Sequence, residues 1–234
     1  MLTWNLFHGR ADPPAGRPLL DEFAELLARE QWDIALLQEA PPRWAGKLGA
    51  SGAIALTSRN LGSALRARVA DRKPDLIKSN EGGSNQTLVR PPWRIVDTRR
   101  LTLARFPEPR RLLWTRLEHG PGGGLTVANL HASANLPRKA AKELFRAAEW
   151  CEGERLVFGG DFNVRPSQDP ETYAQLERDF GLAAPTAPNA IDHLLARGVT
   201  VVEPPHQLAL ERRTTRAGIR LSDHAPVTAV FAMA

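Results

Sequence analysis

The chain opens on a short apolar and aromatic run, Leu2 to Phe7, which predicts a strand entering a core. After a loop carrying Pro13, Pro14 and Pro18, the residues Leu19, Leu20, Phe23, Leu26 and Leu27 recur at helical spacing, with Asp21 and Glu22 in the first turn. Residues 33–38 form an apolar run that predicts a buried strand stopping at Glu39, ahead of Pro41 and Pro42. The stretch 44–84 is the least patterned, and yields a short strand over Ile54–Thr57 and a helix over Leu61–Val69.

From Gln86 the texture changes. Leu88, Val89, Ile95, Val96, Leu101, Leu103, Leu112, Leu113 and Leu117 interleave with Arg and Thr, as in consecutive antiparallel strands. Glycines in 120–124 predict a turn before a strand over Leu125–Leu130. Pro137 opens a helix over 137–152, and a second helix covers 170–180. Strands are expected over Arg155–Phe158, Ile191–Leu195, Val199–Glu203 and Pro226–Phe231. With strands and helices mixed throughout and no internal repeat, the expectation is one α/β domain spanning 1–234.

Composition narrows the classes. A chain of 234 residues can bury roughly 70–75% of its unfolded surface, enough for a substantial core. The single cysteine, Cys151, excludes a disulfide framework and a cysteine-based zinc site. No apolar run approaches the roughly 20 residues that cross a bilayer, and no signal-peptide pattern opens the sequence, so a cytoplasmic protein without a membrane partner is expected. The net charge is +5, and Arg outnumbers Lys 26 to 5. Guanidinium groups suit phosphate, so the balance is compatible with a polyanionic substrate without identifying one.

The chemistry-bearing residues fall at the ends of apolar strands. Asn5 closes Thr-Trp-Asn, Glu39 closes Ile-Ala-Leu-Leu-Gln-Glu, and His131 ends Val-Ala-Asn-Leu-His. Asp161 and Asn163 stand in Gly-Asp-Phe-Asn, Asp192 in Ile-Asp-His, and Asp223 and His224 in Ser-Asp-His-Ala-Pro. Each alone has a plain explanation as a turn or a helix cap. Together they predict carboxylate, carboxamide and imidazole groups gathered on one rim of a sheet.

These motifs, in this order from residue 3 to about 227, resemble the endonuclease/exonuclease/phosphatase superfamily with its DNase I-like fold. The resemblance implies a four-layer α/β sandwich: two packed, mostly antiparallel sheets flanked by helices. It also implies a divalent-metal-dependent phosphoester hydrolase. Glu39, Asn5 and Asp223 would hold magnesium, with manganese as a substitute, since hard cations take oxygen ligands and keep room for water and substrate. Asp161 would activate the attacking water, and Asn163 would orient it or touch the phosphate. Asp161 and Asn163 are expected to point the same way in an extended segment. His224, oriented by Asp192, would stabilise charge on the phosphate, and His131 would be a second imidazole there. Asn85, Arg111 and Asn135 are weaker candidates for substrate contact, while His8, His119, His193 and His206 are assigned structural or surface roles.

Two departures bear on substrate. The abasic-site repair branch usually has an acidic residue two positions after the first Asn, where this chain has Phe7, and a tyrosine where it has His131. The His131 pattern looks more like the DNase I, sphingomyelinase and phosphoinositide-phosphatase branches. The expectation is therefore a nuclease acting on DNA; the alternative is a phosphatase or phosphodiesterase for a small-molecule or lipid-headgroup ester. A silent binding module would lack Glu39, Asp161, Asn163 or His224, and all are present. Neither a Gly-x-Ser-x-Gly elbow, nor a His-Glu-x-x-His pair, nor a phosphate loop ending in Gly-Lys occurs.

Overall fold

The computed structural model describes residues 1–57, 64–77, 83–106, 108–120 and 123–233. Eleven strands and five helices alternate along them: β1 (Leu2–Asn5), α1 (Leu20–Arg29), β2 (Ile34–Ala40), β3 (Ser51–Leu56), α2 (Ala64–Arg72), α3 (Pro74–Ile77), β4 (Ser84–Val89), β5 (Trp93–Ala104), β6 (Arg110–His119), β7 (Gly124–His131), α4 (Pro137–Trp150), β8 (Leu156–Asp161), α5 (Pro170–Phe180), β9 (Asp192–Arg197), β10 (Thr200–Gln207) and β11 (Val227–Ala232). The expected helix over Leu61–Val69 is seen from Ala64 onward, its first residues lying outside the described ones; residues 121–122 of the expected glycine turn lie outside them too.

The strands form two sheets, ordered β10-β11-β1-β2-β4-β3 and β5-β6-β7-β8-β9. Only β1–β2 and β7–β8 pair in parallel; the other pairings are antiparallel. The mixed α/β sandwich is the DNase I-like architecture that the motifs implied.

Period-two alternation builds the layers, because successive strand side chains face opposite ways. In β2, Ala35 and Leu37 face α1, packing with Phe23, Leu26 and Leu27, while Ile34 and Leu36 face the second sheet. In β8, Leu156 and Phe158 pack against α4 and α5, while Val157 faces inward. Three apolar clusters thus separate four layers. Each fully buried Leu or Phe in them contributes about 1.5–3 kcal/mol relative to exposure. A polar seam crosses the interior as well: Gln38 Nε2 donates to Asn129 Oδ1 at 2.8 Å, and Asn129 Nδ2 donates to the carbonyls of Leu37 and Gln86. The seam satisfies buried amides of both sheets and ties them together just below the functional rim.

Strand β2 does not stop at Glu39. It continues to Ala40 through an irregularity, since Leu37 pairs with Gln86 but Ala40 with Ser84. Two residues, Gln38 and Glu39, thus stand opposite Asn85 alone, and Glu39 takes φ 47°. A bulge of this kind turns a side chain away from the strict alternation.

Candidate active site

Sheet register brings the strand-end residues together. His131 on β7 is the Cα partner of Asp161 on β8, which in turn pairs with Asp192 on β9. These three side chains continue the inward-facing rows of Val127, Val157 and Leu194, so where the apolar core runs out at the rim, the same face becomes polar. Opposite them, β1 contributes Asn5. The loop before β11 brings His224, held by Trp4 Nε1 and Arg213 Nη1, both donating to its carbonyl at 3.0 Å. Ser222, at φ 60°, donates its hydroxyl to Asn5 O and receives the His224 N–H.

Asp161 is the hub. Its side chain is 2% exposed. Oδ2 accepts from Asn5 Nδ2 at 2.9 Å and lies 3.4 Å from His131 Nε2 and 3.9 Å from His224 Nε2. Burial raises its pKa, and the neighbouring Asp192 and Glu39 charges add to the rise. The nearby His224 and the Asn5 hydrogen bond oppose it, leaving the group at about 7. A carboxylate so poised is partly protonated near neutrality and is a far stronger base than an ordinary one.

His224 has the opposite character. Burial lowers its pKa, but Asp192, whose Oδ2 accepts from Nδ1 at 2.8 Å, raises it further, as do Asp161 and Asp223, and the net value is about 10. The ring is a fixed cation. His131 stays neutral: burial first, and then the charges of Arg110, His224 and His8, hold its pKa well below the ordinary imidazole range. His131 and His224 therefore differ in charge although they flank the same carboxylate.

Asn163 reaches the rim by a different backbone route from the extended one expected. It lies at φ 52°, outside β8, and its N–H donates to Asp161 Oδ1 at 3.1 Å in an Asx-type turn. Its Nδ2 donates to Ala132 O at 3.1 Å, which leaves the carbonyl oxygen of the amide for water or substrate. Glu39 faces the same space, with 23% of its side chain exposed. Oε2 lies 3.1 Å from His8 Nε2, and Oε1 lies 3.7 Å from His131 Nδ1. His8, assigned a structural role from sequence, thus stands in the site; its backbone is left-handed at φ 55°, as is Phe7 before it. Asp223 is exposed, its Oδ1 3.9 Å from His224 Nε2.

Of the weaker candidates, Asn85 is fully buried and donates Nδ2 to Arg111 O at 2.8 Å. Asn135 is exposed in a left-handed turn after β7. At the start of β6 the arginine beside His131 is Arg110, not Arg111: Arg110 Nη1 lies 3.0 Å from His131 Nδ1. Strict alternation from the Leu113–Asn129 pair would have carried Arg111 there. The ladder to β7 ends at Leu112–Leu130, and the β5–β6 pairing is irregular between Thr102 and Ala104, so the strand start is re-aimed. Two adjacent arginines give no sequence signal that separates them. For His8 the available signal was its place three residues after Asn5.

The sequence pattern of the Endonuclease/Exonuclease/phosphatase family matches residues 2–224. The chain belongs to that family. Among curated proteins no match was found. Solved structures share the fold. One is an endonuclease/exonuclease/phosphatase from Beutenbergia cavernae, 18% identical, covering 99% of this chain and 70% of that one at TM-score 0.71. Another is a conserved protein of unknown function from Enterococcus faecalis, 16% identical over 100% of both chains at TM-score 0.72. A Bacteroides thetaiotaomicron family protein is 16% identical over 100% of this chain and 94% of that one at TM-score 0.70.

Family members hydrolyse phosphoesters and generally depend on a divalent metal. Two donor groups come into question here. Asp161, Asp192 and His224 offer ligand atoms within 4.8 Å of one another. In that group, however, Asp192 Oδ2 is already engaged by His224 Nδ1 at 2.8 Å. Glu39, Asp223 and the second lone pair of Asn5 Oδ1, whose first accepts the Phe7 N–H at 2.9 Å, are hard oxygen donors. Oxygen donors of this kind suit a divalent metal.

Proposed function

We propose that the chain is a magnesium-dependent phosphodiesterase, a nuclease that cleaves DNA by in-line attack of water. The observation that carries this reading is the geometry at Asp161: its buried Oδ2 accepts from Asn5 Nδ2 at 2.9 Å and lies 3.9 Å from Nε2 of His224, whose Nδ1 is held by Asp192 at 2.8 Å. An elevated base next to a fixed cation is what attack on an anionic phosphoester needs, since the base takes the water proton while the cation meets the growing charge. Glu39, Asn5 and Asp223 would hold magnesium, or manganese in its place, which when bound neutralises charge on the phosphate oxygens.

The roles of the chain's own groups follow. Asp161 accepts the proton of the attacking water. Asn163, its amide nitrogen tied to Ala132 O, offers its carbonyl oxygen to orient that water. His224 carries positive charge at Nε2 toward the phosphoryl oxygens, and its proton there is available to the leaving oxygen. Asp192 holds the ring. Arg111 and the exposed Asn135 are candidates for contact with more distant parts of the substrate, while the fully buried Asn85 supports Arg111 through its backbone carbonyl.

DNA as substrate is supported by the charge of +5 and by a structural neighbour, D. rerio TDP2 with a single-stranded DNA product, 15% identical at TM-score 0.67. A second reading, a small-molecule phosphoester hydrolase, is favoured by another neighbour on the same fold, a Bacteroides thetaiotaomicron mannosyl-6-phosphatase, 16% identical at TM-score 0.68. Tryptophan stacking lends DNA little support: Trp4, Trp32, Trp44 and Trp114 are buried. A panel of supercoiled plasmid, single-stranded oligonucleotide, a sugar phosphate and a phosphocholine lipid, each with magnesium, tests the proposal. Cleavage of the nucleic acids supports the nuclease; turnover of a small ester alone replaces it with the second reading.

A further inference from the structure

The sequence placed His131 as a second imidazole on the phosphate. Its surroundings point elsewhere. The side chain is 4% exposed, and each ring nitrogen already has a neighbour. Arg110 Nη1 lies 3.0 Å from Nδ1 within the protein interior, and Asp161 Oδ2 lies 3.4 Å from Nε2. A guanidinium has only donors. The 3.0 Å contact is therefore a hydrogen bond only if Nδ1 presents its lone pair, and the one ring proton must then be on Nε2. The competing partner for Nδ1, Glu39 Oε1, is at 3.7 Å, beyond hydrogen-bond distance.

We propose that Arg110 is a positioning residue that holds His131 as the Nε2–H tautomer, so that Arg110, His131 and Asp161 form a buried relay behind the proposed base. In this relay Arg110 donates to Nδ1, and the protonated Nε2 lies 3.4 Å from Asp161 Oδ2, an electrostatic contact longer than a full hydrogen bond. Arg110 is itself anchored by Glu108, whose Oε2 accepts from Nη2 at 3.0 Å. A cation hydrogen-bonded to one imidazole nitrogen strengthens the N–H at the other, as linked hydrogen bonds polarise one another. His131 has no lone pair left with which to accept a proton. A neutral imidazole N–H is too weak an acid to protonate a leaving oxygen, so of His131 and His224 only His224 can supply that proton. The catalytic part of this inference rests on the phosphoester-hydrolase reading; the tautomer does not.

The experiment begins with the wild-type protein, without metal or substrate, ring-15N-labelled at histidine. His131 is assigned by comparison with His131→Gln. The expected spectrum shows a protonated Nε2 and an unprotonated Nδ1. An Nδ1–H tautomer, or a doubly protonated ring, overturns the proposal whatever the enzyme's activity. In Arg110→Met the expected result is a mixture of tautomers, and in Arg110→Lys, which keeps a donor, retention of Nε2–H. An unchanged tautomer in folded Arg110→Met removes Arg110 from the role. With the substrate found active in the panel, Arg110→Met should lower kcat at least about tenfold with little change in KM, and Arg110→Lys should recover part of it. A rise in KM at unchanged kcat would instead make Arg110 a substrate-binding group and overturn the relay.

Discussion

Asp161 and His224 show how one environment drives two neighbouring groups apart. Asp161 is buried and His224 half-buried, and burial works against the charged form of each. Asp192 decides the difference, since its negative charge opposes ionisation of Asp161 and favours that of His224. Replacing His224 by Ala should reduce turnover on the order of 10²–10⁴-fold with the fold retained, as measured by steady-state kinetics alongside circular dichroism. Retention of full activity would remove the cation from the account. A third histidine, His193, gives a stability prediction. It lies against the rings of Phe162 and Tyr173; its Nδ1 accepts the Thr186 N–H, and its Nε2 lies 3.1 Å from Ala190 O. Burial lowers its pKa to about 4, despite the Asp192 charge and backbone hydrogen bonds that raise it. The unfolded chain, at about 6.5, then binds more protons between these values. Stability from this group is complete above about pH 6.5 and falls as pH drops toward 4, by up to about 1.4 kcal/mol per pH unit. Urea unfolding at pH 7.5 and pH 5 should show a smaller pH effect in His193→Gln than in the wild type; equal effects would contradict the assignment. Such residues were legible in part. A histidine or carboxylate ending an apolar strand is visible in sequence, whereas the choice of Arg110 over Arg111 depends on where a ladder stops.

Elements explain why the site sits where it does. Strand β8 carries Gly159 and Gly160 immediately before Asp161, and both are forced. Gly160 has φ 133°, and a Cβ there would stand 1.9 Å from Leu130 O on β7. Gly160→Ala should therefore destabilise by on the order of 3 kcal/mol or more and displace Asp161 relative to His131. Wild-type thermal stability in that variant would refute the close approach. Helix α4 has a comparable role on the other side of β7. Glu143, buried, accepts both the N–H and the hydroxyl of Ser133, at 2.8 and 2.7 Å, fixing the chain just after His131. Glu143→Ala leaves a buried donor unpaired and should cost about 1–3 kcal/mol in denaturant unfolding. The expected elements match the observed ones closely where periodicity is long, as over α4, α5 and β7. They fail at the bulge that carries β2 past Glu39 and at the turn that tips Asn163 out of line, because both depend on left-handed backbone at non-glycine residues, which alternation does not register.

At the scale of the whole molecule, the sandwich lines one rim with oxygen and imidazole groups while three apolar clusters hold the layers beneath it. No helix among the described residues is long and apolar enough to cross a membrane. The excess of arginine predicts that cleavage of a nucleic acid slows steeply with salt, with binding falling by a slope near −0.9 for each duplex phosphate neutralised. A flat salt profile would favour the small-ester reading. The architecture was legible because the ordered strand-end motifs resemble those of the family, and that resemblance implies the sandwich. The sheet order was not, because strand pairing rests on contacts far apart in sequence. The central claim is that Asp161 acts as the base of a metal-dependent phosphodiester hydrolysis. Its most direct test is cleavage of supercoiled plasmid by wild type and by Asp161→Asn, each with magnesium and with EDTA. The account predicts nicking by the wild type with magnesium only, and a loss on the order of 10²–10⁴-fold in folded Asp161→Asn. Nicking that persists in EDTA, or at wild-type rate in Asp161→Asn, would contradict it.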